Sequence, residues 1–218
     1  KAQRKAEKRR AKLLPTEITK KSTNKIAFVL GNGVSRASVD PYDLKLHGTV
    51  YGCNAIYRTF APDYLVAVDA KMVNEICDAG AQLRMPVWTN PNHAYKKFKG
   101  LNFFEPSLGW SSGPTALWLC CSHNHQLVYL LGFDFLGTDQ GKLNNIYGDT
   151  DNYKKNSDVA TYHGNWNRQT AIILQKNGQK KFCRVIPDGG QVFPAEDLKK
   201  YTNYSEITVS EFKHQYHL

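Results

Sequence analysis

Ile26-Ala-Phe-Val-Leu-Gly-Asn-Gly-Val-Ser-Arg36 is the stretch from which the fold can be read. Its apolar residues form a buried strand, which breaks into the turn Gly31-Asn32-Gly33. A glycine turn at a strand end brings backbone N–H groups close to a ligand, which suits phosphates and nucleotides. The turn is neither a Walker loop nor a full dinucleotide fingerprint. Many strands end in Gly-x-Gly for packing alone, and on the turn by itself that reading has the edge.

Outward from this stretch, short apolar runs alternate with helix-like segments. Strands are expected at 26–31, 49–54, 64–69, 86–89, 102–104, 127–133 and 182–186, and helices near 70–79, 112–122 and 165–177. Asn165 can cap the last of these helices and Gly178 can end it. Strands this apolar suit a sheet covered on both faces. The expected fold is α/β: one Rossmann-like domain with a mostly parallel sheet and helices on both faces, preceded by a basic helical arm. The divisions are an arm and linker at 1–25, the nucleotide-binding domain at 26–189, and a C-terminal extension at 190–218 packed on that domain.

Length and composition fit one well-filled globular domain of 218 residues. No apolar run approaches the ~18–20 residues that span a bilayer, and no secretory leader is expected. The five cysteines include no C-x-x-C pair and read as buried free thiols of a reducing compartment. The seven histidines lack H-E-x-x-H spacing, so no structural metal is expected. Charge is uneven: residues 1–25 hold ten Lys or Arg against two acids, whereas the rest is close to neutral. Arg4, Lys5, Lys8, Arg9, Arg10 and Lys12 form a cationic arm that is either a solvated tail or a contact for nucleic acid or another polyanion.

Several strands end in polar residues: Asn32, Asn54, Asp69 and Asp134. In a parallel sheet these positions fall along one edge, where Asn and Asp either cap the following turns or recognise a base or ribose. Four on one edge favour a site. Ser111-Ser112-Gly113-Pro114 opens an apolar helix, whose N-terminus offers N–H groups and a positive dipole end to an anion. Ser35 follows the glycine turn. Residues 136–164 are polar and aperiodic, as in a lid or binding loop. That loop ends at His163, a candidate general base, and carries Tyr147, Tyr153 and Tyr162. Asp149-Thr-Asp151 has the D-x-D form used for Mg²⁺–nucleotide complexes and is equally common in plain turns.

Together, Gly31-Asn-Gly-Val-Ser35, Cys53-Asn54, Ser112-Gly113 and Leu131-Gly-Phe-Asp-Phe135 resemble, in order and spacing over about residues 26–178, the bacterial sialyltransferase family of Campylobacter type. They also resemble the related Rossmann-like superfamily of motility-associated flagellin glycosylation factors and hydroxymethylpterin pyrophosphokinases. The resemblance implies that Asn32 and Asn54 contact the nucleotide of a CMP-sugar donor and that Ser112 and Gly113 bind near its ribose or phosphate. It implies that Tyr147 bonds the leaving phosphate and that His163, beside Tyr162, deprotonates the acceptor. Such enzymes invert the anomeric centre and use no metal. Val34 stands where the family has proline, Leu136 where sialyltransferases carry a second phosphate-binding tyrosine, and Tyr162 and His163 are adjacent rather than spaced Tyr-x-x-His.

The leading expectation is a nucleotide-sugar glycosyltransferase acting on a glycan, with no cofactor, in a homo-oligomer away from membranes. A second is Mg²⁺-dependent pyrophosphoryl or phosphoryl transfer through Asp149, Asp151 or Asp134. A third is a non-enzymatic component, such as part of a phage particle, anchored by the arm. The location that follows is cytoplasmic, or the virion if phage-encoded.

Overall fold

A computed structural model describes residues 25–160 and 162–218. The cationic side chains of Arg4, Lys5, Lys8, Arg9, Arg10 and Lys12 lie outside the described residues. The fold is α/β and Rossmann-like. Eight strands form one sheet: β1 (Ile26–Leu30), β2 (Thr49–Cys53), β3 (Tyr64–Val66), β4 (Val87–Thr89), β5 (Leu101–Phe103), β6 (Leu127–Leu131), β7 (Lys181–Ile186) and β8 (Tyr204–Thr208). Their order is β5-β4-β3-β2-β1-β6-β7-β8, and every pairing is parallel. The chain runs outward from β1 to β5, returns to place β6 on the other side of β1, then runs outward again. The strand order therefore reverses between β1 and β6, and in open α/β sheets the ligand crevice forms beyond such a point.

Alternation along β1 builds two cores. Ala27 and Val29 face one layer, with Ala116, Leu117 and Cys120 of helix α2 (Ser112–Cys121) and Ile173 and Leu174 of helix α3 (Gly164–Lys176). Phe28 and Leu30 face the other, with Met72, Val73 and Ile76 of helix α1 (Ala70–Asp78) and Phe212 and Tyr216 of helix α4 (Val209–Tyr216). Here α1–α4 denote the helices of eight residues or more. All five cysteines are free, and burial raises the thiol pKa of each.

Two expectations are corrected. Residues 190–218 do not pack on a finished domain: they supply β8 to the sheet and α4 to one core. Helix α3 begins at Gly164 with His163 at its N-cap, so Asn165 lies inside the first turn and is not the cap.

The two central strand exits touch backbone to backbone. Gly31 N–H donates to the Leu131 carbonyl at 2.8 Å and Gly33 N–H to the Gly132 carbonyl at 3.0 Å. A Cβ on Gly31 would overlap the Gly132 carbonyl oxygen, and Gly132 itself holds a φ of +70°. Backbone cannot retreat as a side chain can. Gly31→Ala is therefore expected to cost at least about 2–3 kcal/mol of stability, from overpacking at a site that must shift. A urea midpoint within experimental error of wild type would contradict this packing.

Candidate active site

The carboxyl ends of β1, β2, β3 and β6 open into a cleft of about 560 Å³. Asn32, Asn54, Asp69, Ser111, Ser112, Gly113, Asp134 and His163 all line it, together with Gly31 and Gly33. The floor is the Gly31–Gly132 contact. One wall is the start of α2, and the opposite wall is the loop that follows β6.

The glycine turn spends most of its amides inside the protein, and over Gly31–Ser35 the Asn32 N–H alone has no partner among the described residues. Gly31 and Gly33 are bonded as above, Val34 N–H donates to Asn144 Oδ1 at 2.9 Å, and Ser35 N–H donates to Asp134 Oδ2 at 3.1 Å. Ser35 Oγ donates to the same carboxylate, and a Cβ on Gly33 would overlap it. Asp134 is thus spent on holding the turn, and Ser35 is a turn residue rather than a ligand contact. The packing reading of Gly-Asn-Gly is the one the geometry follows.

Further amides without partners lie at a helix N-terminus. Ser111 is the N-cap of α2 and makes no side-chain cap bond. Its N–H is taken by Gln169 Oε1 at 3.2 Å, which leaves the N–H groups of Ser112 and Gly113 without partners among the described residues. Ser112 Oγ accepts from Val68 N–H at 3.2 Å and keeps its own proton to donate. Ten residues of α2 align their dipoles behind this point.

Polar groups for a nucleoside flank it. Asn54 has a φ of +54°, a backbone region that Asn tolerates better than most residues, and its buried Oδ1 has no partner among the described residues. Asp69 caps α1 by position without a side-chain cap bond, so its carboxylate can accept from ribose hydroxyls. Asn32 donates to the Tyr153 hydroxyl at 3.1 Å and to the Cys53 carbonyl at 3.4 Å. The buried Arg36 side chain holds Asn32 from behind, donating to its Oδ1 at 3.4 Å.

Two expected tyrosines lie elsewhere. Tyr147 is buried in the core and its hydroxyl meets Thr59 Oγ1 at 3.5 Å, so it does not line the cleft. Tyr162 is 79% exposed and lines a neighbouring hollow instead. The tyrosine in the cleft is Tyr153, whose hydroxyl sits between Asn32 and the Ala55 N–H. Burial raises its pKa, so it stays a neutral phenol.

The long polar loop is organised. Ile146 N–H bonds the Asn32 carbonyl at 2.8 Å. Arg58 clamps Thr150 Oγ1 and the Asp151 carbonyl, each at 2.8 Å, while forming a 2.7 Å ion pair with Glu75. Burial alone would raise the Glu75 carboxyl, but hydrogen bonds from Arg58, Tyr57 and Asn152 take it down to about 2. The Asp149-Thr-Asp151 motif belongs to this scaffold. Asp149 has a φ of +63° and bonds Asn156, and neither aspartate lines the cleft. The residues expected to hold Mg²⁺ are therefore not gathered: Asp134 is tied to Ser35, and the other two lie outside the cleft.

His163 stands between the cleft and a second hollow of about 900 Å³ over α3. Its ring packs edge-on against Trp166 at 4.7 Å, and both ring nitrogens are buried and unpaired among the described residues. Burial lowers its pKa from the ordinary 6.5, and the nearby Asp134 charge only partly opposes this, so the neutral base prevails at pH 7.

Tyr153 is the one of the three loop tyrosines that lines the cleft, whereas Trp110, Trp166 and Lys154 line it and were not expected there. Trp110 carried a signal, since it directly precedes the Ser-Ser-Gly helix start. Lys154 carried none within an aperiodic loop. Neither family models, nor curated proteins, nor solved structures yield a match to this chain. No helix among the described residues is long and apolar enough to cross a membrane.

Proposed function

We propose that the protein is a nucleotide-sugar glycosyltransferase of the sialyltransferase-like kind, with a CMP-sugar as the donor class and His163 as general base. The observation that carries the reading is the position of His163 at the junction of two hollows. One side offers nucleotide-binding groups and the other offers room for an acceptor. In this scheme the base and ribose lie against Asn54, Asp69 and Asn32, and the phosphate meets the free N–H groups of Ser112 and Gly113. An acceptor hydroxyl attacks the anomeric carbon as the bond to the phosphate oxygen breaks, inverting the centre. His163 takes the hydroxyl proton, and the helix end stabilises the charge on the departing nucleotide. The ring nitrogens are shielded in the resting structure, so the imidazole turns about its side-chain bonds toward the acceptor.

The testing experiment is a thermal-shift comparison of CMP, UMP, GMP and ATP, each with Mg²⁺ and with EDTA. A ligand that binds only the folded state at 100 times its Kd adds about 2.7 kcal/mol. A shift with CMP that EDTA leaves unchanged is the expected result. A shift seen only with ATP and Mg²⁺, or no shift with any nucleotide, would overturn the proposal.

A further inference from the structure

We infer that the second hollow is a binding site for an acidic saccharide, a sugar ring bearing a carboxylate. Its role as the acceptor site rests on the glycosyl-transfer reading above, but its ligand chemistry stands on its own residues. The volume, about 900 Å³, lies within the ~300–1,000 Å³ typical of small-molecule clefts.

Three features define the occupant. The first is a buried, unpartnered acceptor. Asn167 is 6% exposed and lines the hollow. Its Nδ2 donates to Asp197 Oδ2 at 3.3 Å, and its Oδ1 has no partner among the described residues. The amide cannot be the other way round, because Oδ1 would then face the carboxylate. A buried acceptor left unpaired is unfavourable, and a ligand hydroxyl that reaches it from the hollow satisfies it.

The second is the wall. Phe135, Phe193 and Tyr201 give a mainly apolar, aromatic surface. Such a surface suits the C–H face of a sugar ring while the hydroxyls point to polar groups. The third is charge. Arg168 on the exposed face of α3 bonds only Asn165 Oδ1, at 3.4 Å, and has no carboxylate partner among the described residues. The hollow's one carboxylate among the described residues, Asp197, is paired with its other cation, Lys200, at 3.8 Å, so its remaining positive charge is that of Arg168. The unpaired guanidinium at the rim matches a ligand carboxylate in charge and in its two-pronged shape. His163 borders the same hollow, so a hydroxyl of the bound ring falls within reach of the base.

The test is saturation-transfer NMR on the full chain with methyl β-D-glucuronide and its neutral counterpart methyl β-D-glucoside, each with CMP present. The glucuronide is expected to bind about tenfold tighter, the worth of one charge-assisted hydrogen bond. CMP should not displace it. Arg168→Gln should abolish the preference while leaving the melting temperature unchanged, since the side chain is exposed. Equal binding of the two sugars, binding of neither, displacement by CMP, or a preference that survives Arg168→Gln would each overturn the inference. The CMP signal in the same samples reports separately on the nucleotide cleft. Its absence beside an intact, Arg168-dependent glucuronide preference would sink the glycosyl-transfer reading and leave the acidic-saccharide site standing.

Discussion

Arg184→Met is expected to destabilise the fold by about 3–5 kcal/mol, the cost of breaking a buried ion pair by removing one partner. Arg184 lies in β7 and is 1% exposed. Its Nε donates to the Phe133 carbonyl at 2.9 Å, and its Nη2 to the Asp134 carbonyl at 3.1 Å. Nη1 serves both the Phe193 carbonyl at 3.0 Å and Glu206 Oε1 at 3.1 Å. Methionine fills much of the same volume but leaves three carbonyls without their donor and takes from the half-buried Glu206 its buried cation, leaving it the Tyr204 hydroxyl at 2.7 Å and Lys199 at 3.9 Å. Lysine cannot replace a five-donor fork, so Arg184→Lys should recover only part of the loss. Urea denaturation measures it, and the double variant with Glu206→Gln adds a sharper check. Neutralising the stranded carboxylate should return stability relative to Arg184→Met alone. An Arg184→Met protein within about 1 kcal/mol of wild type would show that the clamp contributes little, by the ordinary scale of point substitutions.

If the protein acts as proposed, His163→Ala is expected to lower glycosyl transfer by about 10²–10⁴-fold, the usual worth of a positioned general base. On the same reading the nucleotide-induced thermal shift should survive, because the backbone N–H groups at the start of α2 are untouched. The pH profile gives the independent signature. The active form is the neutral ring, so the rate falls as the solution is acidified and His163 gains its proton. Burial places the midpoint of that fall below 6.5. Stability follows the same sign: between the folded value and 6.5 the unfolded chain holds more protons, so stability declines as pH drops through that window. A transfer rate with no acid limb, or one unchanged in His163→Ala, would remove His163 from the reaction.

The strands and main helices were legible because burial on both faces leaves near-continuous apolar runs, as in Ile26–Leu30 and Leu127–Leu131. β8 was not, because Tyr204-Ser-Glu-Ile-Thr208 is an edge strand of mixed polarity. Helix α4 has a start that the sequence carries openly. Thr208-Val-Ser-Glu211 is a capping box, with Thr208 Oγ1 accepting from Glu211 N–H at 3.2 Å. At the site, the polar strand ends were visible because strand direction alone sends them to one edge. What the side chains do there was not. Asp134 looks like a ligand residue and serves the turn, and an arginine within a strand carries no hint of three buried carbonyls. Tyr147 and Tyr153 are six residues apart in a loop without periodicity, and only tertiary docking decides which one faces the cleft.

The sheet's central pairing also sets an order of events during synthesis. β1 can find β2 soon after both emerge, but its other edge pairs with β6, where Ile26 sits beside Leu127. About a hundred residues separate them, which at ribosomal speeds of about 5–20 residues per second is roughly 5–20 s. Through that interval the nascent chain carries an apolar strand with one open edge, the kind of surface that aggregates or recruits a chaperone. A ligand of the cleft cannot rescue this species, because the cleft has no floor until Gly132 arrives. A ribosome that pauses before Leu127 therefore leaves β1 open to misassembly, and one that pauses between β6 and β7 leaves the apolar edge of β6 open in its place.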